Sequence, residues 1–429
     1  MKINIITLGC SKNTVDSENL AASLKAAGHS VHFDRQQNDC DCVIVNTCGF
    51  IGDAKEESIN TILAQTAARK RRRKDCRLIV CGCLVERYRD ELEKEMPEVD
   101  AWYGVHQWKE IAEDCNNGRN TQASPDCRPL STPQHYAYLK IAEGCNRTCS
   151  YCAIPLIRGA HRSRPMDDIV AEAKALVHAG VKELLVISQD TTYYGLDLYR
   201  RRALGELLER LATESGARWI RLHYTYPASF PDDAILAIAR HPNICNYIDI
   251  PLQHINSRLL GSMQRGIDRE GTLRLLDKFR RMIPGVAIRT TLIVGYPGET
   301  EAEFEELKQF VGEARFDRMG CFAYSPEEGT PAERLGDPVP DAEKQRRVQE
   351  LMAVQEAVSL EKNQARVGRT YTCLVDRAEG DYLVARTEYD SPEVDDEVLI
   401  RSCDTSAIGT FADVRILQAL ENDLVGEFV

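Results

Sequence analysis

No stretch of this 429-residue chain approaches the roughly 20 consecutive apolar residues that a membrane-spanning helix needs. A secretory leader is not expected either. The opening MKINIITLGCSKN has one lysine and a six-residue apolar stretch, too short for a signal-peptide core, and it reads better as a first β-strand. The expected compartment is therefore the cytoplasm, with no membrane partner. Positive charge is scarce: 54 Lys and Arg stand against 66 Asp and Glu, a net charge of −12. That balance argues against a general polyanion binder and suits a basic partner. The scarcity is sharpest from Asn363 onward, where fourteen Asp or Glu meet six Arg and no Lys, a net of −8.

What is present is a globular composition, 43% hydrophobic and 28% charged, long enough for about two to four domains. Sixteen cysteines are too many to ignore, yet disulfides are not expected in a cytosolic chain of this size. Cys145, Cys149 and Cys152 are spaced CxxxCxxC, in CNRTCSYC, with Tyr151 just before the last thiol. No fourth cysteine accompanies them. A four-iron cluster ordinarily takes four thiolates, so a triad leaves one iron open to a small chelating molecule. Zinc is the other metal such thiols suit, but its structural sites want a fourth protein ligand, and none is obvious nearby.

Residues 1–118 alternate short apolar strands (3–8, 43–46 and 78–81) with amphipathic helices (16–27, 54–71 and 85–95), the pattern of a parallel α/β sheet. Cys10, Cys48 and Cys83 each fall just past a strand's C-terminal end, where open α/β sheets bind ligands. Three distant thiols can converge there; spacing alone equally allows three unrelated buried cysteines, and it does not choose between Cys81 and Cys83. Residues 119–133 are polar and proline-bearing and read as a linker. Residues 134–362 repeat a strand–loop–helix unit six times, with strands at 137–142, 184–187, 219–223, 247–250, 287–294 and 319–323. Helices follow at 166–179, 204–214, 231–240, 269–282, 301–314 and 340–362. Six such units suggest an open or partial (β/α)6 barrel with its chemistry in the loops after the strands. From 363 to 429 the pattern changes to short alternating strands without helices, as in a small antiparallel β-barrel.

With LGCSKN, NTCGFI and GCL ahead of CNRTCSYC, the chain resembles the radical S-adenosylmethionine (SAM) methylthiotransferases over essentially its whole length. The phrases SQDTTYYG, RLHYTYP and IDIPLQHINSRLLGSMQRG resemble one branch of them, the RimO family, which modifies an aspartate of a small-subunit ribosomal protein near the decoding centre. The resemblance implies two 4Fe-4S clusters, an auxiliary one on Cys10, Cys48 and Cys83 and a radical-generating one on Cys145, Cys149 and Cys152. It implies two uses of SAM: methyl donation to a sulfide on the auxiliary cluster, and reductive cleavage to a 5′-deoxyadenosyl radical. That radical would take hydrogen from the aspartate β-carbon, which then receives the methylthio group. The implied terminal module is a TRAM domain that recognises substrate, and an electron donor is required. Tyr151, Gln189 and Gly295 are the implied SAM contacts, although Pro297 stands one position early in IVGYPGET for the usual superfamily form.

Other features remain open at this level. Arg158, His161, Arg162 and Arg164 follow the triad and suit either carboxylate pairing or compensation of a reduced cluster. His254 reads as a strand-end histidine satisfied by hydrogen bonds. Arg69, Lys70, Arg71, Arg72, Arg73 and Lys74 are either a solvated helix terminus or a contact to ribosomal RNA. The alternatives to a ribosomal-protein aspartate methylthiotransferase are a tRNA adenosine methylthiotransferase and, from another class, a non-catalytic iron–sulfur electron carrier or RNA-binding adaptor. The acidic terminal barrel weighs against the tRNA enzyme, because phosphate recognition needs cations. The six βα loops weigh against a non-catalytic carrier.

Overall fold

The computed structural model describes residues 1–35, 40–70, 76–116 and 128–429. They form two compact units: Met1–Thr132 with Tyr138–Asn146 and Ala153–Arg162, and Pro133–Ala137 with Arg147–Cys152 and Ser163–Val429.

The first unit is built on β1 (Lys2–Thr7), α1 (Ser11–Ala26), β2 (Ser30–Phe33), β3 (Cys42–Thr47), α2 (Gly52–Lys70), β4 (Arg77–Gly82), α3 (Cys83–Glu95), β5 (Ala101–Tyr103) and α4 (Trp108–Cys115). Its strands form one sheet, ordered β2-β1-β3-β4-β5, with every pairing parallel. Because successive side chains alternate across a strand, β3 and β4 divide their residues between two cores. Ile44, Ile79 and Cys81 pack with Leu20 and Leu24 of α1 and Ile111 of α4. Val43, Val45 and Val80 pack with Ile62 of α2 and with Leu84 and Val85 of α3. The edge strands β2 and β5 were not expected from the sequence. Both are short and mostly half-buried, so neither shows the apolar run that marked β3 and β4.

In the second unit, Glu183–Ile187 and Trp219–Leu222 run parallel in a three-stranded sheet completed by Tyr136–Lys140, which begins in this unit. Tyr247–Asp249, Ala287–Val294 and Arg318–Ala323 form a second parallel sheet. A single parallel bridge between Ile220 and Ile244 lies between the two sheets. Seven helices lie from Met166–His178 to Asp341–Gln364, the six that were expected and the short Ser257–Ser262. The expected alternation is thus found, with the six strands divided three and three.

The terminal strands close into a barrel in the order Thr370–Glu379, Tyr382–Thr387, Val398–Arg401, Leu424–Phe428, Phe411–Ala419. Four pairings are antiparallel; that of Val398–Arg401 with Leu424–Phe428 is parallel. Several of this barrel's acids are not on its surface. Asp390 and Asp396 pair with Arg318, Asp395 with Arg289, and Asp376 with Arg386 and His135. All four carboxylates are buried or nearly so. Part of the acidic surplus is therefore internal, neutralised by Arg289 and Arg318 of the preceding strands and by Arg386 of the barrel itself.

Candidate metal centres

The three N-terminal cysteines lie at equivalent places. Cys10 is the N-cap of α1, Cys48 follows β3 directly, and Cys83 opens α3. Helix N-termini favour negative charge, which suits thiolates at Cys10 and Cys83. The segments also touch. A Cβ built on Gly9, which sits at φ +89°, would lie 2.6 Å from Cys48 Cβ and 2.8 Å from its Sγ. A Cβ on Gly49 would lie 2.8 Å from Leu84 Cα and 2.9 Å from the Cys83 carbonyl carbon. Asn13 braces the junction, its amide donating to Leu8 O at 2.8 Å and to Thr47 O at 3.0 Å. The Ser58 hydroxyl holds Cys48 in place, accepting from its N–H at 3.0 Å and donating to its carbonyl at 2.9 Å.

Cys81 is elsewhere: two residues before Cys83 but in the sheet, fully buried against Ile3 and Ile111. Cys83 instead meets Val105, Ala153 and Ile157, the last two from the segment around α5 (Ile154–Arg158). Burial pushes the Cys83 thiol up to about 12 despite the nearby Arg158, and burial likewise raises Cys48. Such thiols stay protonated in the absence of a metal, and a bound metal ion displaces their protons into solvent. Among the described residues, no three His, Cys, Asp or Glu side chains could share one metal ion. A polynuclear cluster makes a different demand, since each thiolate takes its own iron, and the convergent triad fits that demand better than it fits zinc.

Of the CxxxCxxC residues, Cys145 belongs to the first unit, its N–H donating to Gly159 O at 3.0 Å. Cys149 and Cys152 belong to the second, joined by a turn in which Cys152 N–H donates to Cys149 O at 3.1 Å. Arg265, almost fully buried, reaches Cys149 Sγ at 3.3 Å and the Tyr151 hydroxyl at 3.2 Å. Both Arg265 and Arg147 lie over the Tyr226 ring, 4.2 and 3.9 Å from its centroid. Arg147 is tied in turn to Asp190 at 2.6 Å.

Tyr151 packs among Met263, Tyr296 and Tyr324. Gln189 is half-buried in the loop after Glu183–Ile187, beside Asp190. Gly295 follows Ala287–Val294 at φ +74°, its N–H donating to the Glu299 carboxylate and its α-carbon against the Lys344 side chain. Three further groups just past strand ends are buried without a hydrogen-bond partner: Ser188 Oγ, Gln253 Oε1 and Tyr324 OH. Unsatisfied polar atoms gathered where loops carry chemistry suit a polar ligand. Neither Gln253 nor Arg265 has a role legible in the sequence, although both stand in the phrases that carry the resemblance. Gln253 sits at φ +74°, a strain invisible in sequence.

The cationic run after the triad is dispersed. Arg158 turns to Cys83 and Asp16, Arg164 pairs with Glu172 at 2.6 Å, and Arg162 is exposed. His254 is fully buried, accepting from Asn256 N–H at 3.0 Å. In the basic stretch, Arg69 pairs with Asp100 at 2.7 Å and Lys70 with Glu98 at 3.1 Å; Arg71, Arg72, Arg73 and Lys74 lie outside the described residues. None of the described helices is long and apolar enough to cross a membrane.

Segments of the chain, and the chain as a whole, are similar to known proteins. Residues 139–311 match the Radical SAM superfamily, residues 2–104 the Uncharacterized protein family UPF0004, and residues 367–429 the TRAM domain. A "Ribosomal protein uS12 methylthiotransferase RimO" of Flavobacterium psychrophilum is 53% identical over 99% of this chain and 98% of its own. The proteins of that name in Parabacteroides distasonis (99% of this chain, 98% of its own) and Bacteroides thetaiotaomicron (100% and 98%) are 51% and 50% identical. Among solved structures, the radical SAM methyltransferase TsrM from Kitasatospora setae aligns with a TM-score of 0.56 at 14% identity, over 88% of this chain and 81% of its own. That likeness is one of fold alone.

Proposed function

Because the chain belongs to the RimO family of radical SAM methylthiotransferases, we propose that it methylthiolates the β-carbon of an aspartate in the small-subunit ribosomal protein uS12, in the cytoplasm. The observation that carries this reading furthest is the convergence of Cys10, Cys48 and Cys83 at one sheet edge, each beyond a parallel strand. A second thiol triad is what distinguishes sulfur insertion from SAM cleavage alone. In this reading, residues 1–118 form the auxiliary-cluster domain, 134–362 the radical SAM domain and 363–429 the substrate-recognising TRAM domain.

Cys10, Cys48 and Cys83 would hold the auxiliary 4Fe-4S cluster, and Cys145, Cys149 and Cys152 the radical-generating one. Bound there, the two clusters supply the electron that cleaves SAM and a place to carry sulfur. The protein does the rest. Tyr151, Gln189 and Gly295 orient SAM, and the buried Ser188, Gln253 and Tyr324 offer unsatisfied polar atoms to its charged and hydroxyl groups. Arg265 donates to a ligand sulfur and to Tyr151 together, which locks the turn that presents Cys149. The tightly packed aromatic groups around Tyr151 exclude water from the place where a radical would form.

Chemically reduced protein with reconstituted clusters should convert SAM to 5′-deoxyadenosine, measured by chromatography. Cys149→Ala should abolish that product. Undiminished cleavage in this variant would refute the assignment of the CxxxCxxC triad.

A further inference from the structure

Arg158 follows the CxxxCxxC triad in sequence, yet its guanidinium is directed at the other triad. We infer that Arg158 is a positioning residue that raises the reduction potential of the cluster on Cys10, Cys48 and Cys83 by donating to the Cys83 sulfur. The inference rests on the proposed function, which places a cluster there.

The guanidinium is 2% exposed. Its Nη2 lies 3.3 Å from Cys83 Sγ and also donates to Asn13 Oδ1. Its Nη1 donates to Asp16 at 2.6 Å and to Glu143 at 3.2 Å. Lys140 completes the group, contacting Asp16 and, at 2.8 Å, Glu143. Two cations thus face two carboxylates, and the Cys83 sulfur lies at the edge of this balanced patch. The backbone fixes the aim. Arg158 ends the five-residue helix α5, where Pro155 stands in the first turn and Gly159 follows at φ +70°. Ala153 and Ile157 of the same segment pack against Cys83 itself. A planar, permanently charged guanidinium can serve the carboxylate and the sulfur at once, which an ammonium cannot do with the same geometry.

Hydrogen bonds and positive charge at a cluster's sulfur ligands favour the reduced, more negative state and so raise its potential. Buried charges are weakly screened, so the effect persists at physiological salt. Asp16 acts in the opposite sense, drawing on the same guanidinium. The two residues belong to one network but carry opposite charge, and their removal must shift the potential in opposite directions.

The test uses the full chain with Cys149→Ala and Cys152→Ala, so that only the first cluster assembles, and an anaerobic redox titration followed by electron paramagnetic resonance. Arg158→Met should weaken the reduced state about tenfold, a shift of about 59 mV downward for a one-electron couple. Arg158→Lys should recover part of that shift, and Asp16→Asn should move the potential upward. Unchanged potentials, or shifts of the same sign in Arg158→Met and Asp16→Asn, would overturn the inference while leaving the cluster assignment intact. Should Arg158→Met fail to hold iron, Arg158→Lys and Asp16→Asn still decide the sign. A parent protein that binds no cluster through Cys10, Cys48 and Cys83 would refute both the assignment and the inference.

Discussion

Two cysteines separated by a single glycine show how strictly geometry sorts identical side chains. Cys81 faces the core between α1 and α4, while Cys83, past the glycine and at the start of α3, faces Arg158 and Asn13. Cys83→Ala should therefore lose about half of the chain's iron, and Cys81→Ala should keep it, by iron analysis after reconstitution. Gly9→Ala should resemble Cys83→Ala. Its added methyl would meet Cys48 at 2.6 Å from a backbone at φ +89°, so Cys48 must move or the turn must open. An unchanged iron content in Gly9→Ala would show that Cys48 is not held where the turn places it. The CxxxCxxC triad was legible as a spacing, whereas the grouping of Cys10 and Cys48 with Cys83 rather than Cys81 came only from the resemblance. Arg158 was legible in neither way, because its sequence neighbours belong to one triad and its contacts to the other.

At the scale of elements, the helices of the barrel segment were legible nearly to the residue: 269–282 and 301–314 were expected, and Arg269–Met282 and Glu301–Ala314 are found. Their start signals are chemical. Asp268 caps the first through Gly271 N–H at 2.7 Å, and Thr300 forms a full capping box with Glu303 in the second. Thr300→Ala should cost about 1 kcal/mol of stability in anaerobic urea unfolding, and a loss below a few tenths would mean that packing alone sets that helix's start. In the first unit α1 begins at Ser11, five residues before the expected 16. The early start went unseen because Ser11, Lys12 and Asn13 are polar yet buried, their role being to shape the turn at Cys10 rather than to fill a core. Edge strands β2 and β5 escaped for the opposite reason, having too little buried surface to leave a pattern.

At the scale of the whole chain, net charge was a poor guide to where charge acts. The acidic count of the terminal barrel suits a basic partner, but Asp376, Asp390, Asp395 and Asp396 are committed to arginines and a histidine within the same unit. One of them titrates near neutrality. Burial pushes Asp396 up to about 7 against the pull of Arg318. With its folded value above its unfolded one, Asp396 contributes stability that is full below the ordinary value of 3.8 and is lost as pH rises through about 7. The stability of the native chain relative to Asp396→Asn should thus decline between about pH 5 and about pH 8. Trp219, whose ring lies 4.7 Å from that of Phe411 in the terminal barrel, gives a fluorescence signal for the unfolding. A flat or rising difference would place Asp396 in a more solvated, more strongly paired site.

Two thiol triads serving a single reaction on one protein substrate make a joint prediction. The most direct measurement is anaerobic incubation of the reconstituted enzyme with SAM, sulfide, reductant and either purified uS12 or unmodified tRNA, followed by mass spectrometry of both. A methylthio group on one aspartate of uS12, absent from tRNA and lost in Cys83→Ala, is the predicted result; a methylthio group on tRNA alone, or on uS12 with undiminished yield in Cys83→Ala, would contradict it.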